Sequence, residues 1–314
     1  MLAHSLLSGA LLLLPIAVTV GIYIGVEFQK IFHDGFKGSY GIPTGSGGGS
    51  ATPGSSGGVE TNMYCQKLIG ITPQGSRYTY NPNQWGLGAN DPSGLCMNIT
   101  TGTLAKNSKY ADPFSVTWNY TQGPETQPVH AFPNALLEAD NLPTTISSVS
   151  SIPVDVSWTY GIGNSNETNT ATADLDAADL NANVAVDMFL DTDKSTSSET
   201  TKAAHEVMVW LGQFGPATQP IGYSAGAVVT KSINGTTFNL YTGTNGNGQH
   251  VWTWVATTTT NRFVGDISPL ITELSAQSGP TGTDYLGYIG FGSEAYWSPQ
   301  NVTFSVPELY IDVL

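Results

Sequence analysis

Acidic residues on alternating strands are the first candidates for chemistry in this sequence. In the run HEVMVWLG, strand alternation puts Glu206, Met208 and Trp210 on one face and the apolar Val207, Val209 and Leu211 on the other. A carboxylate in line with a thioether and an indole suits a sugar subsite: an apolar platform for the ring face beside a charged, reactive group. In ANVAVDMFLD the same alternation groups Asn183, Ala185 and Asp187 against Val184, Val186 and Met188. In YLGYIGFGSEAYW, Glu294 shares parity with Tyr288, Gly290, Gly292 and Tyr296, and the glycines allow a ligand close to the backbone. A carboxyl pair across a cleft is the equipment of glycoside hydrolysis, in which one acid protonates the leaving oxygen and the other attacks the anomeric carbon or activates water. With 24 acidic residues in the chain, one such acid carries little weight, and the plain alternative for Glu206 is an exposed strand residue. The weight comes from acids on separate strands, each beside residues suited to a sugar ring.

The elements that must position these acids read as strands. NVAVDMFL, HEVMVWLG, TTFNLYTG, HVWTWVATTT and NVTFSVPELYI are rich in Val, Ile, Thr, Tyr and Trp, with Gly, Asn and Pro turns between them, which predicts an all-β sandwich or barrel. One helix is expected in ISPLITELSAQ, where Ile267, Leu270, Ile271 and Leu274 have helical spacing, Pro269 lies in the first turn and Gly279 lies beyond the end.

Composition narrows the partners. Only 11% of the 314 residues are charged, against roughly 25% in ordinary soluble domains, while 40% are hydrophobic, with 7 Trp and 14 Tyr. There is a sizeable core to bury. A formal charge of -14 opposes binding to phosphate backbones and anionic lipid surfaces, so nucleic acid is excluded as a partner and a neutral polymer such as a polysaccharide is favoured. His4, His33, His130, His205 and His250 have no ligand spacing, so neither metal nor cofactor is expected; His205, on the strand face opposite Glu206, reads as structural.

Cys65 and Cys96 read as one disulfide, the alternative being two unrelated buried thiols. Asn-x-Ser/Thr sequons at Asn98, Asn119, Asn166, Asn234 and Asn301 agree with an oxidising, extracellular or cell-surface setting. Within residues 1–37, Leu6 to Val26 is uncharged and mostly apolar, and about 20 such residues span a bilayer. It is expected to be an uncleaved membrane anchor, the alternative being a signal peptide; Lys30 and Lys37 behind it run against that orientation by the positive-inside rule. Residues 38–58, dominated by Gly and Ser, form a flexible tether, and residues 59–314 are the folded domain.

The set EVMVWLG, NVAVDMF, QWG and FGSEAY, together with Pro220-Ile221-Gly222, resembles glycoside hydrolase family 12 over about residues 62–314. These are small fungal and bacterial endo-β-1,4-glucanases, some of them xyloglucan-specific. The resemblance implies a β-jelly-roll of two curved antiparallel sheets with an open cleft, and hydrolysis with retention. It implies that Glu206 is the nucleophile, Glu294 the acid/base and Asp187 the acid that hydrogen-bonds the nucleophile. Trp85 would stack on substrate, Met208 and Trp210 would line the cleft, and Asn134, in HAFPNA, and Tyr296 would contact the sugar. Cys65 and Cys96 match a family disulfide. Around the acid/base the family reads Gly-Thr-Glu-Pro-Phe, whereas here it is Gly292-Ser293-Glu294-Ala295-Tyr296, which bears on how tightly Glu294 is held. The expected substrate is cellulose or another β-glucan, with xyloglucan the alternative, and the expected state is a monomer. A rival from another class is a non-catalytic carbohydrate-binding jelly-roll whose acids only accept hydrogen bonds, and a third reading is a structural wall protein.

Overall fold

The computed structural model describes residues 58–85, 93–125 and 127–314. The expected anchor and nearly all of the tether lie outside them. Among the described residues no helix is long and apolar enough to cross a membrane.

The predicted strands form, and they build a β-jelly-roll of two sheets. The outer sheet is ordered β1 (Glu60–Tyr64), β3 (Gly94–Thr101), β4 (Phe114–Tyr120), β15 (Ala295–Ile311), β7 (Pro153–Ile162) and β13 (Arg262–Asp266). The inner sheet runs β2 (Tyr78–Asn81), β5 (Asn134–Leu137), β14 (Tyr285–Gly292), β8 (Asn181–Asp191), β9 (His205–Phe214), β12 (His250–Ala256), β11 (Thr236–Thr244) and β10 (Val229–Ile233). The short β6 (Thr144–Thr145) also pairs with β14. The long β15 begins against β8 and then passes into the outer sheet, so it ties the two sheets together. Pairing is antiparallel except between β9 and β12, where the intervening β10–β11 hairpin returns the chain in the parallel sense.

Alternation sorts the inner sheet as the sequence predicts. Val184, Val186, Met188 and Leu190 of β8 and Val207, Val209 and Leu211 of β9 belong to the main core, with Trp118, Trp158, Trp252, Trp254 and Phe304. A second apolar cluster comprises Ala185, Met208, Trp210, Val251, Val255 and Ile221. Its strand members have the opposite parity, so it floors the concave face. A bulge between Val184 and Ala185 sets Ala185 opposite Trp210 but Val184 opposite Gly212, leaving Leu211 as the extra residue. Bulges bend a strand, and here the extra residue turns Gly212 to the core, where a Cβ would come within 2.6 Å of the Trp158 ring.

The expected helix is α2 (Ser268–Glu273), followed by a 3-10 turn at Leu274–Gln277; a second short helix that the sequence reading did not mark, α1 (Thr172–Ala177), precedes it. Asp266 starts α2 by accepting from Ser268 N at 2.9 Å. Ile267, Leu270, Ile271 and Leu274 are all buried, and the Leu270 carbonyl accepts Trp254 Nε1 at 3.1 Å. The disulfide joins Cys65 to Cys96 of β3, across a separation of 31 residues.

Candidate active site

The three acids meet on the concave face of the inner sheet. Asp187 of β8 lies directly opposite Met208 of β9 on one side and Gly290 of β14 on the other. Glu206 lies opposite Phe189, two residues along the same face. Glu294 lies between β14 and β15, and its carbonyl accepts Asn183 N at 3.2 Å. All three side chains are buried, each residue being 7% exposed.

Each glutamate has a dedicated amide donor. Asn245 Nδ2 donates to Glu206 Oε2 at 3.0 Å, while Asn245 Oδ1 accepts Asn247 N and Gln249 N, both at 3.0 Å. The turn itself therefore orients that donor. Asn183 clasps Glu294 at both ends: Nδ2 donates to Oε2, and Oδ1 accepts Glu294 N at 2.9 Å. Tyr296 also hydrogen-bonds the Glu294 carboxyl. Asp187 Oδ1 has no hydrogen-bond partner.

A buried polar chain supports Glu294 from the core. Trp118 Nε1 donates to Tyr160 Oη at 2.8 Å, and Tyr160 Oη and Ser293 Oγ are 3.0 Å apart. Ser293 Oγ donates to the Asn183 carbonyl at 2.5 Å. Because a carbonyl can only accept, Ser293 gives its proton there and Tyr160 must donate to Ser293. The chain thus runs in one direction, from the inter-sheet core to the residue that holds Glu294.

The electrostatics separate the two glutamates. Burial pushes the Glu206 carboxyl up to about 7, opposed by the Asn245 hydrogen bond. Burial and then the nearby Glu206 charge push Glu294 up to about 8, opposed by Asn183 and Tyr296. Asp187 is held well above the usual carboxylate range by burial first, then by Glu206 and Glu294. Like charges so close and so poorly hydrated do not all ionise together. The first proton to leave is best lost from Glu206, and Glu294 keeps its proton to higher pH.

The other predicted residues surround this group with different exposures. Trp85 is half-buried; its backbone N–H donates to the His130 carbonyl at 2.9 Å, and His130 N donates to the Ala295 carbonyl at 2.9 Å, placing it one rung from the residue after Glu294. Its Nε1 is buried with no hydrogen-bond partner. Asn134 pairs with Gly292, and its amide is engaged by Asn81 and by the Phe132 carbonyl. Met208 and Trp210 are 2% and 1% exposed, with Trp210 Nε1 on Met208 Sδ at 3.3 Å, so both belong to the cleft floor and neither is an open stacking surface. Tyr296 is buried beside Glu294. His205 points away from the acids, and its Nδ1 accepts Trp252 Nε1 at 3.4 Å. Among the described residues no cluster of three or more His, Cys, Asp or Glu is arranged to hold a metal ion.

Comparison with known proteins agrees with this arrangement. The family model for Glycosyl hydrolase family 12 matches residues 76–313. A protein named probable xyloglucan-specific endo-beta-1,4-glucanase A of Aspergillus fumigatus is 31% identical over 254 residues, covering 80% of this chain and 91% of that protein. Its namesake in Aspergillus clavatus is 33% identical over 240 residues, covering 76% and 87%. Among solved structures, Trichoderma harzianum Endoglucanase 3 from family GH12 superposes with a TM-score of 0.64 at 24% identity, covering 81% of this chain and 98% of that one. The catalytic domain of Humicola grisea Cel12A, solved with a soaked thio cellotetraose, gives 0.63 at 23% identity, covering 81% and 99%. The chain belongs to glycosyl hydrolase family 12 and is a glycosidase.

Proposed function

We propose that the protein is a retaining, endo-acting β-1,4-glucanase whose nucleophile is Glu206 and whose acid/base is Glu294. The observation that carries this reading is the meeting of two buried glutamates on one face of the inner sheet, each held by an amide donor and both raised by burial, with the charge of Glu206 adding to the push on Glu294. In the first step Glu294 protonates the glycosidic oxygen as the Glu206 carboxylate bonds to the anomeric carbon, and the C–O bond to the leaving sugar breaks. In the second step Glu294, now ionised, takes a proton from water. The water oxygen bonds to the anomeric carbon and Glu206 leaves as carboxylate, restoring both groups. Asp187, held protonated between them, limits the cluster to one negative charge and is suited to share a proton with Glu206.

Among β-1,4-glucans, xyloglucan is favoured over plain cellulose because the curated relatives carry xyloglucan-specific names. The disulfide and the sequons support action outside the cytosol. Initial rates on carboxymethylcellulose, mixed-linkage β-glucan and xyloglucan test the substrate, and viscosity loss relative to reducing ends tests endo action. Sugar binding without release of reducing ends would instead support the non-catalytic jelly-roll.

A further inference from the structure

The sequons and a recess on the convex face of the outer sheet are unused by the mechanism, and they meet at Asn166. Ser115 of β4 lies directly opposite Ser305 of β15, and Ser305 opposite Thr159 of β7. Val116, Phe304 and Trp158, their neighbours in sequence, belong to the main core. By alternation the three small polar side chains therefore face away from the core and from the catalytic cleft. Short side chains in a row leave a hollow, and with Pro113 and Pro307 they line a recess of about 140 Å³.

Residues 163–171, between β7 and α1, run beside this recess and are pinned to the sheet. Gly163 N donates to the Asn301 carbonyl at 2.7 Å, Thr159 Oγ1 donates to the Glu167 carbonyl at 2.9 Å, and Thr170 Oγ1 accepts Tyr160 N at 3.0 Å. Asn166 is exposed and lines the recess. Its Oδ1 accepts Ser305 Oγ at 3.0 Å, and among the described residues its Nδ2 makes no hydrogen bond. Thr168, which completes the sequon, is also exposed. The other sequons differ. Asn98 and Asn119 are half-buried on β3 and β4. Asn234 Nδ2 donates to the Val264 carbonyl at 2.5 Å, and Asn301 Nδ2 to Asn164 Oδ1 at 2.6 Å.

We propose that Asn166 carries an N-linked glycan whose first N-acetylglucosamine rests in the recess over β4, β15 and β7. The inference rests on the reading that the protein acts outside the cytosol, and is independent of its reaction. In the transfer, Nδ2 bonds to C1 of the sugar and gives up one proton, while the bond from C1 to the pyrophosphate of a lipid-linked oligosaccharide breaks and polyprenyl pyrophosphate leaves. Nδ2 keeps its second proton, and Oδ1 stays available to Ser305. The hydroxyls of Ser115 and Thr159 suit the polar edge of the sugar, and Pro113 and Pro307 suit its C–H face. The recess lies on the sheet face turned away from the cleft, so a glycan there leaves Glu206 and Glu294 open to substrate.

The test uses the full chain produced in a filamentous fungus, as wild type and as Thr168→Ala, which removes the acceptor motif but leaves Asn166 and Ser305 in place. Glycan release by peptide N-glycosidase in heavy-oxygen water turns each modified Asn into a labelled Asp, which peptide mapping locates. A label at position 166 on most wild-type copies, and none there in Thr168→Ala, is expected. A secreted, disulfide-bonded wild type with bare Asn166 overturns the inference alone, whereas a chain kept inside the cell with free thiols overturns it together with the extracellular reading. The seat is read by melting. Wild type trimmed by an endoglycosidase to one sugar should keep the Tm of the intact glycoprotein, and Thr168→Ala should melt about 2–4 °C lower. The two chains made without glycans in a bacterial periplasm should melt alike. Equal Tm in the fungal proteins, or a gap that persists without glycans, overturns the seat.

Discussion

Asn245→Ala isolates the electrostatic reasoning at Glu206, the proposed nucleophile. Asn245 Nδ2 is 3.0 Å from Glu206 Oε2 and opposes the upward push of burial on that carboxyl. Hydrogen bonds to charged groups contribute about 1.5–3 kcal/mol, and one pKa unit corresponds to about 1.4 kcal/mol. Removing the donor should therefore raise the Glu206 ionisation by about one to two units. The acid limb of the kcat/KM profile on soluble β-glucan should move to higher pH by that amount, and activity below it should fall about 10- to 100-fold. The alkaline limb reports chiefly loss of the proton from Glu294, at about 8; because the shifted Glu206 ionisation approaches it, the bell should narrow and its maximum fall, with the acid limb moving further than the alkaline one. Because Asn245 Oδ1 also accepts Asn247 N and Gln249 N, a thermal melt must accompany the profile to establish that the fold persists. A uniform drop with both limbs unmoved would refute the reasoning and reduce Asn245 to a turn former.

Other outcomes follow from the same structure. Because the folded pKa of Glu206 lies above its ordinary value of 4.5, its contribution to stability is fully present below about 4.5 and is lost as pH rises through about 7. The urea stability of Glu206→Gln should accordingly vary less between pH 4.5 and 9 than that of wild type, by about 3 kcal/mol, and equal slopes would contradict the buried-carboxyl picture. Asp312 behaves in the opposite sense: burial would raise it, but Arg77 at 2.9 Å and Lys109 at 3.2 Å more than offset this and hold it at about 2. Asp312→Asn should lose about 2 kcal/mol at neutral pH, and the difference should vanish as pH falls from about 4 through about 2, as read by denaturant midpoints. Replacing Cys65 and Cys96 with Ser should cost about 3.5 kcal/mol for a loop with a separation of 31 residues, measured as a lower Tm that reductant no longer changes.

The strands and the acids were legible because they depend on local alternation. Glu206, Met208 and Trp210 share a face by parity alone, as do Asn183, Ala185 and Asp187, and the spacing of Ile267, Leu270, Ile271 and Leu274 marks the helix that fills the core. The groups that hold the acids were not legible. Asn245 sits in TNGNGQ, which reads as a turn, and its meeting with Glu206 depends on the parallel pairing of β9 and β12, which alternation does not encode. Ser293 and Tyr160 are separated by 133 positions and meet only because β15 joins the two sheets. Asn183 had a signal in its parity with Asp187, but nothing local told its clasp on Glu294 from an ordinary strand amide. Trp210 shows the converse: its face was read correctly, while its depth depends on Ile221 arriving from a distant segment to complete the cleft floor.

The central claim is that Glu206 forms the covalent bond to the sugar. A β-cellobioside bearing fluorine at C2 and a good leaving group slows breakdown of a glycosyl-enzyme more than its formation, so the intermediate accumulates. Peptide mapping by mass spectrometry after brief incubation should find one disaccharide adduct on the peptide containing Glu206, and none in Glu206→Gln. An adduct on another residue, or release of the first product as the α-anomer with no adduct, would contradict the account.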